Sequence, residues 1–171
     1  MRASGLVACS LVFAALAARA DDPPKESATY HDKLYGFAFE APRFEKAAKT
    51  EQAHILSLLG RAKHGFQDNV NIVLQPPTKR KQYVETTRTQ LEGLGLTVNA
   101  TTNTTVSGRD AVIMEYEGAV NGRALHFLVL GVFDDDHVYL LTCTSSRESW
   151  EDLEKGFRAC LASFKLADEK F

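Results

Sequence analysis

Between Ala111 and Ser146 the chain reads AVIMEYEGAVNGRALHFLVLGVFDDDHVYLLTCTSS, three apolar-rich runs separated by two clusters of turn residues. Apolar-rich runs on either side of the turn residues, the second nearly continuous over Leu125–Leu130, predict an antiparallel meander at the middle of a sheet. Asn121-Gly122 is the strongest short-range hairpin signal, because a type I′ turn needs positive φ at both central residues. A two-residue loop there sets the register: Val120 opposes Arg123, Ala119 opposes Ala124 and Glu117 opposes His126. The second turn is expected within Asp134-Asp135-Asp136, with two or three residues, since Asp bonds readily to its own backbone.

Side chains alternate across a strand. One face of the meander therefore carries Val112, Met114, Tyr116, Leu125, Phe127 and Val129. The other carries Ile113, Glu115, Glu117, His126, Leu128, Leu130 and Val132. A strand apolar on both faces must be covered on both sides, and helices are the expected cover.

The flanking segments follow the same logic. Tyr30–Ala41 reads as a hairpin with Phe37 and Phe39 on one face, ended by Pro42. Phe44–Gln52 suits either a short helix or a loop. His54–Leu59 and Val70–Gln75 read as strands around a connection at Gly60–Asn69. After Pro76-Pro77, Thr78 is the expected N-cap of a helix running to about Leu94. Its apolar stripe is Tyr83, Val84, Thr87, Leu91 and Leu94, and Gly93 and Gly95 supply the stop. Leu96–Val106 alternates Leu96, Val98 and Ala100 with polar residues, and Ser107-Gly108-Arg109-Asp110 turns it back into the meander. Arg147–Leu166 is an amphipathic helix capped by Ser145 or Ser146, with Glu148, Glu151 and Asp152 at its positive dipole end. Its buried stripe is Trp150, Leu153, Phe157, Cys160, Leu161 and Phe164. The predicted class is α+β: one antiparallel β-sheet flanked by helices.

The first twenty residues belong to a different pattern. Arg2, the apolar run Gly5–Ala18 and the small-x-small end Ala18-Arg19-Ala20 predict a secretory signal peptide at Met1–Ala20, cleaved after Ala20. The apolar run is shorter than the roughly 20 residues of a membrane span. Leu6-Val7-Ala8-Cys9 has the lettering of a lipoprotein box, but most of the apolar run follows the cysteine where it should precede it. Residues 21–29, polar and containing Pro23-Pro24, are expected as a flexible leader. Residues 30–171 then form a single domain, large enough to bury a core without covalent staples. Of 20 basic and 22 acidic residues, cleavage removes only Arg2 and Arg19. The slightly acidic remainder carries no footprint for nucleic acid or an anionic membrane. The destination is periplasmic or secreted.

Two cysteines survive cleavage, Cys143 on the last strand and Cys160 on the final helix. An oxidising compartment permits a bridge between them, and its short loop would stabilise by about 3 kcal/mol in the chain-entropy model. Two buried thiols acting as small hydrophobes is the competing reading.

Catalytic motifs are scarce. Gly93-Leu94-Gly95 begins a G-x-G, but Val98 stands where a third glycine belongs. H-E-x-x-H, G-x-S-x-G and paired C-x-x-C are missing, so no cofactor is expected. Asp134-Asp135-Asp136-His137 is the one local cluster of metal-ligating types, although neighbouring turn residues splay apart and the lettering is not that of an EF-hand. Glu117 opposite His126 is the best acid–base pair on offer; a cross-strand ion pair or hydrogen bond satisfying a half-buried histidine is the preferred reading. The run Lys79-Arg80-Lys81 reads as a solvated face or a dock for an acidic partner. Asn99-Ala100-Thr101 and Asn103-Thr104-Thr105 match a glycosylation pattern that also arises by chance.

The order of these elements resembles the PsbP-like superfamily, which includes the photosystem II extrinsic protein PsbP, the Ran-binding Mog protein and exported bacterial proteins of the DcrB type. The resemblance covers roughly residues 30–166. It is carried by Tyr35-Gly36-Phe37-Ala38-Phe39 followed by Pro42, the strand Val70–Leu74, the amphipathic helix, the Asn-Gly hairpin, His137-Val138-Tyr139-Leu140-Leu141-Thr142-Cys143-Thr144-Ser145, and Leu161-Ala162-Ser163-Phe164. It implies an α/β/α sandwich and a module that docks onto other proteins; no site residue transfers. The expectation is an exported, non-catalytic binding or accessory module of the cell envelope, with another envelope protein as partner. The alternative is a small metal-dependent or acid–base enzyme built on Asp134–His137 or on Glu117 and His126.

Overall fold

The computed structural model describes residues 27–47, 54–63 and 65–167; the expected signal peptide at Met1–Ala20 lies outside the described residues. In chain order the elements are β1 (Ser27–Asp32), β2 (Phe37–Pro42), β3 (Glu45–Lys46), β4 (His54–Lys63), β5 (Phe66–Gln75), α1 (Arg80–Gly93), β6 (Thr97–Val106), β7 (Arg109–Val120), β8 (Arg123–Phe133), β9 (Val138–Ser146), α2 (Trp150–Ser163) and β10 (Lys165–Leu166). They make a seven-stranded sheet in the order β3-β4-β5-β9-β8-β7-β6 and a three-stranded sheet in the order β1-β2-β10.

The meander β7-β8-β9 occupies the middle of the large sheet, as the apolar pattern requires. Asn121 and Gly122 both adopt positive φ, 51° and 76°, and the register pairs Val120 with Arg123, Ala119 with Ala124 and Glu117 with His126. Both faces of β8 are dry. On one face Val112, Met114, Tyr116, Leu125, Phe127 and Val129 pack with Tyr83 and Leu91 of α1 and with Leu96. On the other, Leu128, Leu130, Val132, Leu141 and Cys143 pack with Leu153, Phe157, Cys160 and Leu161 of α2 and with Phe37 and Phe39 of β2.

The second face therefore has a mixed cover. A helix of 14 residues rises only about 21 Å, too little to roof a wide sheet alone. The small sheet covers the rest through aromatic contact: Phe164, just past α2, lies 6.0 Å from Phe37 and 6.2 Å from Phe39. Among the described residues the fold is thus mostly antiparallel sheet with two helices, in two sheets where the sequence predicted one.

Several boundaries differ from the expectation, each for a local reason. β1 starts at Ser27, inside the stretch read as leader, because Ser27–Thr29 pair with Glu40–Pro42. Of the stretch Phe44–Gln52, residues 48–52 lie outside the described residues; in the rest a two-residue strand, Glu45–Lys46, pairs with Leu58 and Leu59. The connection expected at Gly60–Asn69 is mostly paired strand. A register shift between Leu59 and Ala62 absorbs the irregularity, and Gly65, at φ 74°, sits beside the return. Thr78 does not cap α1: Lys79 holds that position in extended conformation without a side-chain bond.

At the other end of α1 the glycine stop behaves as expected but moves a leucine. Gly95 donates to Glu92 O at 3.0 Å and Leu96 to Leu91 O at 2.9 Å, the paired bonds of a Schellman motif with Gly95 at φ 75°. That reversal throws Leu94 into solvent at 62% exposure and buries Leu96 in its place. A shift at Asn99 then ends the alternation of Leu96, Val98 and Ala100, so that Thr101, opposite Met114, takes the α1-facing position. The Asp turn holds four residues, closed by Asp134 N donating to His137 O at 2.9 Å between the paired Phe133 and Val138. α2 begins at Trp150 with Ser149 as N-cap, because Ser146 Oγ accepts from Ser149 N at 3.2 Å and spends itself on the preceding turn. It ends at Ser163, since Lys165 and Leu166 leave to pair with Ala38 and Phe37.

Gly118 marks the tightest approach around the meander. A Cβ there would lie 2.6 Å from Leu96 Cδ2 and 3.2 Å from Leu96 Cα. Gly118→Ala is expected to destabilise by about 1–3 kcal/mol, whereas Gly93→Ala, with open space around it, should stabilise by up to about 1 kcal/mol. Urea midpoints read both; equal midpoints for the two variants would show that the Leu96 contact yields freely.

Candidate functional site

Glu115 and Glu117 are two apart on β7 and so share a face. The register sets Glu117 against His126 on β8 and His126 against Ser145 on β9. One polar row thus crosses three strands near the end of the sheet that carries the Asn-Gly turn. The start of α2 closes over it: the Trp150 indole stacks on the His126 ring, centroids 3.6 Å apart and planes 13° from parallel.

His126 is 6% exposed. Its Nε2 lies 3.0 Å from Glu115 Oε1 and its Nδ1 3.5 Å from Glu117 Oε2. A neutral imidazole donates from one nitrogen only, so it serves one of these carboxylates; the imidazolium serves both. Each carboxylate also has a guanidinium. Arg158 of α2 reaches Glu115 at 2.8 Å and Glu154 at 2.7 Å, and Arg147 reaches Glu117 at 3.3 Å. Burial alone would raise the Glu115 carboxyl, but the bonds from Arg158 and His126 outweigh it and hold it below the usual carboxylate range.

Ser, His and Glu in a row suggest a hydrolytic relay, and the geometry argues otherwise. A relay needs one imidazole nitrogen aimed at the hydroxyl and the other at the acid. Here both nitrogens face carboxylates. Ser145 is fully buried, and its Oγ has no hydrogen-bond partner among the described residues. What the cluster does is tie α2 to β7 and β8 by one stacked ring pair and one cross-element ion pair.

A buried carboxyl lies on β5, beside β9. Asp68, 5% exposed, accepts from Ser146 N at 3.1 Å. Burial pushes its pKa up, against the opposing pull of Ser146, Ser149 and Lys63. Its role is to hold the β9–α2 connection at the point where the chain leaves the sheet.

The remaining candidates do not assemble. In the Asp134–His137 turn, Asp134 is engaged by Arg109 at 3.3 Å and by Asp135 N at 2.7 Å. His137 turns toward Tyr139, edge to face at 6.2 Å. Among the described residues, no group of three or more His, Cys, Asp and Glu converges as a metal site would. The basic run divides: Arg80 pairs with Asp110 at 3.2 Å and Lys81 with Glu85 at 3.9 Å. Cys143 and Cys160 are both buried and unbridged, 4.1 Å apart. Burial and the neighbouring Cys160 raise the Cys143 thiol well above its ordinary value, which makes it a poor nucleophile.

Pairing Glu117 with His126 was within reach of the sequence. Glu115, Arg147, Arg158 and the Trp150 stack were not, although Glu115 stands on the same predicted face as His126. The missing signal is tertiary, because where α2 crosses the sheet decides which strand residues its side chains meet.

No protein-family model matches the chain, and comparison with curated proteins finds no match. Solved structures do match in shape. The solution structure of cyanobacterial PsbP (CyanoP) from Synechocystis sp. PCC 6803 superposes with a TM-score of 0.61 at 12% identity, over 95% of this chain and 99% of that one. LpqN, involved in cell envelope biogenesis of Mycobacterium tuberculosis, gives 0.63 at 11% identity, over 83% and 91%. PA94 of Pseudomonas aeruginosa, a protein of unknown function described as a putative regulator, gives 0.52 at 15% identity, over 77% and 91%.

The depressed Glu115 carboxyl sets a pH dependence. Its contribution is fully present above the carboxylate's unfolded pKa and is lost as pH falls through the lower folded value. Glu115→Gln is therefore expected to flatten the acid limb of a stability–pH curve. At neutral pH it should cost under about 1 kcal/mol, since Arg158 is half exposed and solvent screens the pair. Urea titrations from neutral pH to below the carboxylate range read this; parallel curves for the two proteins would show that the pair contributes nothing.

Proposed function

From a PsbP-like fold as premise, we propose that the chain is an exported, non-catalytic binding or accessory module of the cell envelope. The observation that carries this reading is the shared architecture with LpqN, a protein of envelope biogenesis, joined to a polar cluster whose carboxylates are paired with guanidinium groups and whose Ser145 hydroxyl is not aimed at the imidazole. His126 has both nitrogens facing carboxylates and a ring face covered, which suits a structural clasp. The Met1–Ala20 segment supports export to the periplasm or beyond. No described helix is long and apolar enough to cross a membrane. The partner is another envelope protein, and the helix-covered sheet, in the manner of an α/β/α sandwich, is the scaffold that presents the binding surface.

Fractionation of the native cells, with N-terminal sequencing of the purified protein, tests the first half of the proposal. The expected result is a chain beginning at Asp21 in an envelope or secreted fraction; a cytoplasmic protein retaining Met1 would end the proposal. Turnover of any substrate that disappears in both Glu117→Gln and His126→Ala would replace this reading with the acid–base enzyme. The metal version predicts a higher melting temperature on adding a divalent ion, by mass action on the folded state, and a reversal by chelator.

The cysteines belong to the same reading. We propose that Cys143 and Cys160 form a disulfide once the protein reaches an oxidising compartment, because β9 and α2 already hold the two sulfurs together in the core. Thiol titration of the denatured, unreduced protein from its native compartment should find none free at these positions. Two free thiols would leave them as buried hydrophobes.

A further inference from the structure

The two ends of the large sheet are treated differently. At one end, among the described residues, the edge is broken up and charged: β3 is Glu45–Lys46, and β4 beside it carries Arg61 and Lys63 and two register shifts. At the other end lies β6, ten residues long, Thr-Val-Asn-Ala-Thr-Thr-Asn-Thr-Thr-Val. It contains neither charge nor proline, and its single irregularity, between Val98 and Ala100, sits near one end. Edge strands of stable monomers are ordinarily blunted by charge, proline, brevity or a bulge, because a bare edge is a template for further pairing. From Thr101 to Val106 none of these devices is present. Among the described residues no strand pairs with the outer side of β6.

The hairpin geometry says which groups are free. Ser107 and Gly108, with φ of 47° and 75°, form a two-residue turn closed by Val106 opposite Arg109. Such a closing pair exchanges both its hydrogen bonds. Counting back, Thr105, Asn103 and Thr101 turn their N–H and C=O groups outward. These three are evenly spaced on an uninterrupted, extended segment.

We propose that β6 is a self-association edge, pairing antiparallel with β6 of a second copy of this chain to make one continuous sheet. A two-fold axis at Asn103 would set Asn103 against its own copy and Thr101 against Thr105, with all three outward residues exchanging hydrogen bonds across the axis. The lack of charge singles out a second copy as the occupant. In a two-fold strand pair a residue at the axis meets itself, so any charge there would be repelled; β6 itself has none in a chain that is 25% charged, and the Arg88 guanidinium of α1 touches the Thr101 side chain rather than Asn103 at the axis. Thr and Asn pairs across such a junction also gain side-chain hydrogen bonds.

Sedimentation of the purified protein over a wide concentration range tests this. The expected result is a reversible monomer–dimer equilibrium, with the amides of Thr101, Asn103 and Thr105 gaining hydrogen-exchange protection in the dimer. Asn103→Lys sets two ammonium groups at the axis, and Asn103→Pro removes an outward N–H that the monomer does not use. Each should weaken dimerisation by at least about tenfold while leaving circular dichroism and melting of the dilute protein as in the wild type. Should the proline variant fail to fold, the lysine variant decides. A protein that stays monomeric at every concentration overturns the proposal, as does a dimer that the folded variants leave intact.

Discussion

Leu125, Phe127 and Val129 leave β8 on one face while Leu128, Leu130 and Val132 leave it on the other, and all six are buried. Burying each such side chain is worth about 1.5–3 kcal/mol, so neither face of the central strand can be left in water. This two-sided demand organises everything else. α1 must lie against one face, and α2 with the β1-β2-β10 sheet must lie against the other. The strands β7 and β9 take the same alternation because they share its register.

Where the apolar run of β8 stops, at His126, the protein changes its means of attachment. Trp150 continues the aromatic stripe of α2 but lands on an imidazole, and the contact is completed by carboxylates and guanidinium groups. Stacking of this kind contributes by area and geometry, while the exposed ion pairs around it contribute little individually. The cluster orients the first turn of α2, and the apolar stripe beyond it, Leu153, Phe157, Cys160 and Leu161, provides most of the adhesion. That division of labour explains why a Ser-His-Glu row can exist without being a relay: its imidazole and carboxylates are used in joining two layers, and the Ser145 hydroxyl takes no part.

The periodicity made much of this legible. Alternation and the Asn-Gly corner gave the meander, the β7–β8 register and the two lists of facing residues; the Asp turn, longer than expected, set the β8–β9 register. The 3.6-residue stripe gave the buried positions of α2, and Gly95 gave the end of α1. The errors cluster where a single residue shifts the phase: Asn99, Gly95 and the Leu59–Ala62 irregularity each displace side chains from an otherwise regular pattern. A bulge adds a residue without any compositional mark strong enough to override alternation. The helix starts failed for a related reason, since several hydroxyl residues stood near each N-terminus and only the backbone conformation selects one.

Local chemistry, then, was sufficient to specify most of what this chain must bury and which pairs face each other across β7 and β8, because those relations depend on near neighbours and turn geometry. The second sheet, the junction of Trp150 with His126, the pairing of Arg158 with Glu115 and the proximity of Cys143 to Cys160 were decided only by tertiary packing. Each joins segments distant in sequence, and its partner is selected by where a helix axis crosses the sheet, a quantity that no local pattern of residues encodes.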